Sequence, residues 1–157
     1  MKSLLKIEDL ELKVKLEDGT ATALDRISLH IGQGESLGVV GESGCGKSLT
    51  ALAVLHLLEN NLAVTSGSII FEGRDLLGLR RREVRDMRGN DISMIFQEPM
   101  TSLNPVFTIG HQLIEAIILH RKISKREARE LAVSALEEVG IPSPNRRLKQ
   151  YPHNMSG

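Results

Sequence analysis

The residues best suited to chemistry in this sequence form one glycine-rich run, G-E-S-G-C-G-K-S, from Gly41 to Ser48. Its glycines allow backbone dihedrals that a Cβ would forbid, so successive N–H groups can turn inward around an anion. Lys47 supplies an ammonium that can reach phosphate oxygens, and the Ser48 hydroxyl can ligate Mg²⁺ beside them. The spacing G-x-x-x-x-G-K-[ST] therefore predicts a loop that binds nucleotide phosphates.

The segments on either side of this run must position it. Residues 35–40 (E-S-L-G-V-V) are a short apolar run and predict a strand, whereas residues 48–58 predict a helix. A helix that begins where the loop ends directs the positive end of its dipole at the same phosphates. Cys45 occupies a spacer position; of a redox role and a small neutral filler, the second interpretation is favoured.

Composition excludes several classes of protein. The chain has 157 residues, 41% of them hydrophobic, so it can bury a core. Twenty basic and twenty acidic side chains cancel, and aromatic residues make up only 3%, which argues against a nucleic-acid partner. One cysteine and no H-E-x-x-H motif exclude a disulfide framework and a recognisable metal motif. No apolar stretch approaches the roughly 20 residues that span a bilayer, so we expect any membrane association to go through a partner.

Alternating apolar and polar residues predict the β-structure. Residues 4–16 and 23–31 predict a hairpin with a long loop, and residues 67–73 and 92–96 predict two more strands, the last one buried. Five arginines then fall within one predicted helical stretch: Arg80, Arg81, Arg82, Arg85 and Arg88. Because acidic residues lie among them, a solvated helix face is favoured over a nucleic-acid patch.

The C-terminal third has helical periodicity. Apolar residues from Ile109 to Ile118 share one helix face. Ser124 and Glu127 form a capping box that starts a second helix, and Gly140 with Pro142 ends it.

Gln97 is a second candidate site residue. It follows the predicted strand over residues 92–96, and Pro99 disfavours helix at the residue after it. The carboxyl ends of strands are where α/β sheets place ligand contacts, so Gln97 could contact a magnesium ion or a water molecule. Taken alone, ordinary loop polarity is the favoured interpretation.

Three segments together resemble the ATP-binding subunit of ABC transporters, specifically the oligopeptide/dipeptide importer group. They are the glycine-rich run, R-G-N-D-I-S-M-I-F-Q-E-P-M-T-S-L-N-P at 88–105, which is similar to the Q-loop region, and Y-P-H-N-M-S-G at 151–157, which is similar to the approach to the ABC signature. The resemblance implies an α/β fold of the P-loop NTPase class with an N-terminal antiparallel β subdomain. It implies a nucleotide-binding core over residues 1–103 and a helical subdomain over 104–157.

The resemblance also implies site residues. Lys47 and Gln97 would be catalytic, and Ser48 and Gln97 would ligate Mg²⁺. Ser156 and Gly157 would begin a surface that closes over ATP bound in the opposite subunit. The phosphates of ATP would be held by Gly41, Glu42, Ser43, Gly44, Cys45, Gly46, Lys47, Ser48 and Leu49.

The implied partners are integral-membrane permease subunits, a second ABC ATPase subunit and, indirectly, an extracytoplasmic solute-binding protein. The implied location is peripheral, on the cytoplasmic face of the inner membrane. Two alternatives remain open: a soluble ABC-type ATPase that does not serve transport, and a non-catalytic nucleotide-binding module.

The sequence departs from the family pattern twice. No aromatic residue precedes Phe71 to stack on adenine, and Leu16 is the expected substitute. The Walker B half of the family's sheet has no counterpart in these residues, so we expect an incomplete sheet and negligible ATP hydrolysis by this chain alone.

Overall fold

The computed structural model describes residues 3–97 and 102–155. Its contacts divide the chain into two compact units, Met1–Arg88 and Gly89–Gly157, which are described separately. The domain boundary expected after residue 103 stays a prediction. Within the described ranges, no helix is both long and apolar enough to cross a membrane.

The first unit is built on one antiparallel sheet. Its order is β2-β1-β3-β4, so β1 is central and pairs with both β2 and β3. Ile7, Leu10 and Leu12 of β1 lie in the core, each at most 1% exposed. Strict alternation would put Ile7 and Leu10 on opposite faces, but the pairing shifts register between them, where Asp9 has a φ of 45°. The strands are β1 (Ser3–Leu16), β2 (Gly19–Gly32), β3 (Leu62–Phe71) and β4 (Arg74–Asp75).

The hairpin and the third strand differ from prediction in their bounds. Leu16 pairs with Gly19, so the loop between β1 and β2 is a short turn rather than a long loop. β3 begins at Leu62, ahead of the predicted strand, because residues 62–64 pair with β1. Pairing with β1 therefore extends β3 through residues 62–64, a segment that includes the β-branched Val64.

Helix α1 (Lys47–Val54) follows the glycine-rich loop, and helix α2 (Arg81–Met87) ends the first unit. The helix predicted over residues 48–58 is shorter than expected because His56 adopts a left-handed φ of 53°. Arg88, interpreted as part of a solvated helix face, is instead half-buried and donates to the carbonyl oxygens of Leu55 and His56.

Two strand predictions are wrong. Residues 35–40 form no strand, and Val39 and Val40 are 54% and 93% exposed. Residues 93–96 form none either, and Ile95 is 89% exposed. A strand requires backbone hydrogen bonds to a neighbour, and none of the described strands pairs with either segment. Apolar composition cannot supply that partner.

The second unit is helical from Ile109 onward, as the periodicity of the sequence predicts. It contains α3 (Ile109–His120), α4 (Lys125–Glu138), the short α5 (Pro144–Arg147) and a 3₁₀ turn (Pro152–Asn154). The capping box at α4 is confirmed: the Glu127 N–H donates to the Ser124 hydroxyl at 3.2 Å, and the Ser124 N–H donates to the Glu127 carboxylate at 2.8 Å.

The core of the second unit lies where α3 and α4 face each other. Ala132 and Leu136 of α4 pack with Leu148, against which Leu113, Ile114 and Ile117 of α3 are partly buried. Leu148 is held in place because its carbonyl oxygen accepts the Gly110 N–H at 2.9 Å. The predicted apolar face of α3 therefore builds this core, except that Ile118, predicted on the same face, is 40% exposed.

We expect Gly67→Ala to destabilise the first unit by about 2–4 kcal/mol. Gly67 has a φ of 89°, and a Cβ there would lie 2.5 Å from the carbonyl oxygens of Glu8 and Asp9, which are backbone atoms that cannot move aside. Gly73→Ala is the matched control, since its φ is 82° but nothing lies within 4 Å of the added carbon. Its cost should be about 1 kcal/mol. Urea unfolding measures both, and equal losses would contradict this account.

We expect the stability of α2 to depend on pH through Glu83. The Arg80 guanidinium donates to its carboxylate at 2.9 Å, as does the Arg80 backbone N–H, and together they lower the pKa of Glu83 from 4.5 to about 2. Because the folded-state pKa is the lower one, this contribution is complete above pH 4.5 and is lost as the pH falls toward 2. NMR titration of the Glu83 carboxyl group measures its pKa. Arg80→Gln should raise the pKa, whereas Arg82→Gln should leave it unchanged.

Candidate phosphate-binding site

The glycine-rich loop enters α1 through left-handed backbone geometry. Gly46 is the N-cap of α1 with φ 93° and ψ 0°, and Gly44 has a φ of 83°. Residues with a Cβ rarely adopt these dihedrals, so glycine is required at both positions. The sequence argument for glycine therefore holds at the positions where the chain turns into the helix.

Close packing gives a second reason for the glycines. A Cβ on Gly46 would collide with the side chain of Leu24, which is buried on β2, and a Cβ on Gly41 would lie 2.6 Å from Cys45 Sγ. The sheet thus fixes the position of the loop through Leu24. Sequence reasoning missed this residue because nothing distinguishes Leu24 from the other apolar residues of its strand.

Lys47 lies across the loop that precedes it. Its Nζ donates to the carbonyl oxygens of Gly41 and Glu42, each at 2.7 Å, and lies 3.4 Å from Cys45 Sγ. These contacts hold the ammonium at the loop, on a side chain that is otherwise long and flexible. A positive charge is therefore already in place where the glycines would admit an anion.

The first turn of α1 has backbone donors to offer. The first intrahelical bond runs from Thr50 N–H to the Gly46 carbonyl oxygen at 2.9 Å, and the Thr50 hydroxyl also donates to that oxygen at 3.0 Å. Gly46 has no side chain that could accept from the amides of Lys47, Ser48 and Leu49. Those amides, at the positive end of the helix dipole, suit an anionic ligand.

The other predicted site residues lie elsewhere. Gln97 belongs to the second unit, where it is exposed in a bend, and it does not end a strand as predicted. Ser156 and Gly157 lie outside the described residues. The loop and α1 therefore bring together Gly41–Leu49. The remaining predicted site residues are not part of the first unit.

A magnesium ion would depend mainly on its ligand's own oxygens. Among the described residues, no group of three or more His, Cys, Asp or Glu could hold a metal ion. Ser48 is exposed at the second position of α1 and offers one hydroxyl oxygen. A single protein oxygen beside phosphate oxygens and water is a usual environment for Mg²⁺, so Ser48 fits this role.

Comparison with characterised proteins gives close relatives. The chain is 51% identical over 155 residues to a probable peptide ABC transporter ATP-binding protein of Sinorhizobium fredii, covering 98% of the chain and 46% of that protein. It is 48% identical to the dipeptide transport ATP-binding protein DppD of Bacillus subtilis, covering 100% and 47%. The chain thus spans about half the length of these relatives.

Solved structures give the same fold. The dimeric bacterial ABC transporter cassette MJ0796 superposes with a TM-score of 0.82 at 23% identity, covering 98% of this chain and 63% of that one. A second structure of MJ0796, bound to ADP and Pi, has a TM-score of 0.79 at 22% identity and covers 97% and 63%. The predicted fold class, the N-terminal part of an ABC ATPase, is confirmed.

The remaining comparison concerns the family profile. The profile described as ABC transporter matches residues 24–157, which include the loop, α1 and the whole second unit. The glycine-rich loop, the fold and the relatives agree: the chain belongs to the ABC transporter family.

Proposed function

We propose that this chain is the nucleotide-binding part of an ATPase subunit that energises import of peptides or related small solutes. The observation that carries the proposal is the loop itself, in which left-handed glycines, a helix N-terminus and a positioned ammonium meet in residues 41–49. The names of the relatives, which are peptide and dipeptide transport ATP-binding proteins, support peptides as the solute.

Residues Gly41–Leu49 would hold the phosphates of ATP. The ammonium of Lys47 now donates to two loop carbonyl oxygens, and a phosphate oxygen is a stronger acceptor because it carries negative charge. Lys47 would therefore transfer its hydrogen bonds from the loop to the β- and γ-phosphates. The helix amides behind it would fix the orientation of the triphosphate.

Ser48 and Gln97 would contribute protein oxygens to Mg²⁺, which when bound neutralises charge on the phosphates. Gln97 would also report nucleotide state to the transport machinery. Ser156 and Gly157 would face the nucleotide of a second subunit, an arrangement supported by the dimeric structure of MJ0796.

The proposed partners follow from the relatives' transport role. They are integral-membrane permease subunits, a second ABC ATPase subunit and, indirectly, an extracytoplasmic solute-binding protein. Attachment would be peripheral, on the cytoplasmic face of the membrane and through the permease.

We expect Lys47→Ala to weaken ATP binding by about 10- to 100-fold. The ammonium already donates to two loop carbonyl oxygens, so its net contribution is comparable to that of one charge-assisted hydrogen bond, about 1.5–3 kcal/mol. Titration with a fluorescent ATP analogue measures the effect. Lys125→Ala is the matched control, because Lys125 also begins a helix but follows no glycine-rich loop. Equal affinity of the Lys47→Ala variant and the unsubstituted chain would refute the proposed site.

We expect Lys47→Ala, placed in the gene that encodes this chain, to abolish cellular uptake of a radiolabelled tripeptide. We propose that the helical segment from about residue 104 onward docks on the permease. Copurification with permease subunits from detergent-solubilised membranes should therefore persist, because the substitution leaves that segment unchanged. Uptake at the level of unsubstituted cells would exclude a role in peptide import, and failure of the unsubstituted protein to copurify with any permease would exclude a transport role.

A further inference from the structure

The C-terminal end of α1, opposite the glycine-rich loop (the phosphate loop), makes hydrogen bonds with a distant arginine. The chain leaves the helix through a Schellman turn, in which Leu57 N–H donates to the Leu52 carbonyl oxygen at 2.8 Å and His56 N–H to that of Ala53 at 3.1 Å. His56 occupies the left-handed position with a φ of 53°. The turn leaves the carbonyl groups of Leu55 and His56 for other donors.

Arg88 supplies those donors. Its Nε donates to the Leu55 carbonyl oxygen at 2.7 Å and its Nη2 to the His56 carbonyl oxygen at 2.5 Å. The guanidinium fork thus engages two successive carbonyl groups at the negative end of the helix dipole, where a cation is favourable. A glutamine at this position would keep polar character but would remove both the charge and the two-nitrogen fork.

The position of Arg88 in the chain gives this contact a further consequence. Arg88 ends the first unit, with its backbone N–H bonded to Val84 of α2, and Gly89 begins the second unit. Gly89 N–H donates to the Ile92 carbonyl oxygen at 2.9 Å, and a Cβ at Gly89 would lie 3.0 Å from His120 Nε2. Each side of the junction is therefore fixed within its own unit.

Other arginines of this stretch do not share the feature. Arg80 pairs with Glu83 across one turn of α2, and Arg85 is exposed on the same helix. Arg88 is half-buried, and its partners lie more than 30 positions away in sequence. A general role in solubility accounts for the exposed arginines but not for a guanidinium directed at the end of α1.

We propose that Arg88 is a positioning residue that couples the phosphate loop to the second unit. It anchors the first residue before the junction to one end of α1, while the other end of α1 begins with Lys47. Occupation of the loop then changes the segment from Gly89 to Gln97 through α1 and Arg88. This inference rests on the proposed function, since it requires ATP at the loop.

Hydrogen exchange measured by mass spectrometry on the complete chain tests the proposal. In the unsubstituted chain, ATP should slow exchange both in α1 and in residues 89–97. In Arg88→Gln, ATP affinity should stay within about threefold because the loop is untouched, but the protection of residues 89–97 should disappear. Without nucleotide, amides at the C-terminal end of α1 should exchange about tenfold faster in Arg88→Gln than in the unsubstituted chain, because charge-assisted hydrogen bonds are lost.

Arg85→Gln is the matched control, because it removes the same charge three residues earlier, from the exposed face of α2, and has no hydrogen bond to the end of α1 among the described contacts. Should Arg88→Gln not fold, Arg88→Met serves in its place and should lose the same protection, since it keeps an apolar stem but has no N–H donor. A merely structural role would not remove the ATP response while affinity is retained.

Two results separate the possible failures. ATP-dependent protection of residues 89–97 in Arg88→Gln equal to that of the unsubstituted chain would overturn the coupling role. An unsubstituted chain that binds no ATP would refute the proposed function. The contact between Arg88 and the end of α1 is then tested without nucleotide, and unchanged exchange rates in Arg88→Gln would overturn its positioning role.

Discussion

The left-handed turn at Gly46 is the constraint on which the site depends. It joins a loop that packs on the sheet through Leu24 to a helix whose first amides face the same space as the loop. A side chain at this position would both strain the backbone and displace the loop from β2. The sheet, the loop and α1 are therefore connected at one residue, and the ammonium of Lys47 is positioned by that connection.

How much could be predicted from the sequence depended on where the determining interactions lie. Local signals were sufficient for the glycines, Lys47 and the capping box at Ser124, because dihedral preference and capping act over a few residues. The strands predicted over residues 35–40 and 92–96 were wrong, because a strand depends on a partner that a local apolar pattern does not identify. Leu24 and Arg88 were missed for the same reason: their importance comes from contacts distant in sequence.

Helix α1 is used at both ends. Its N-terminus presents amides and Lys47 to the candidate phosphate-binding site, and its C-terminal carbonyl groups accept hydrogen bonds from the guanidinium of Arg88. Each charge at a helix end contributes only a small stabilisation. A rigid helix between the two ends nevertheless means that a displacement of one end displaces the other. In a member of the ABC transporter family, this arrangement would link nucleotide binding at the loop to the second unit.

The contacts of Lys47 also affect how a measured affinity should be interpreted. Because its ammonium already donates to the carbonyl oxygens of Gly41 and Glu42, a ligand gains only the difference between two sets of hydrogen bonds. An observed dissociation constant would thus understate the intrinsic strength of the ammonium–phosphate contact. A small calorimetric enthalpy would be compatible with a strong contact, since bond breaking in the free protein would offset bond formation in the complex.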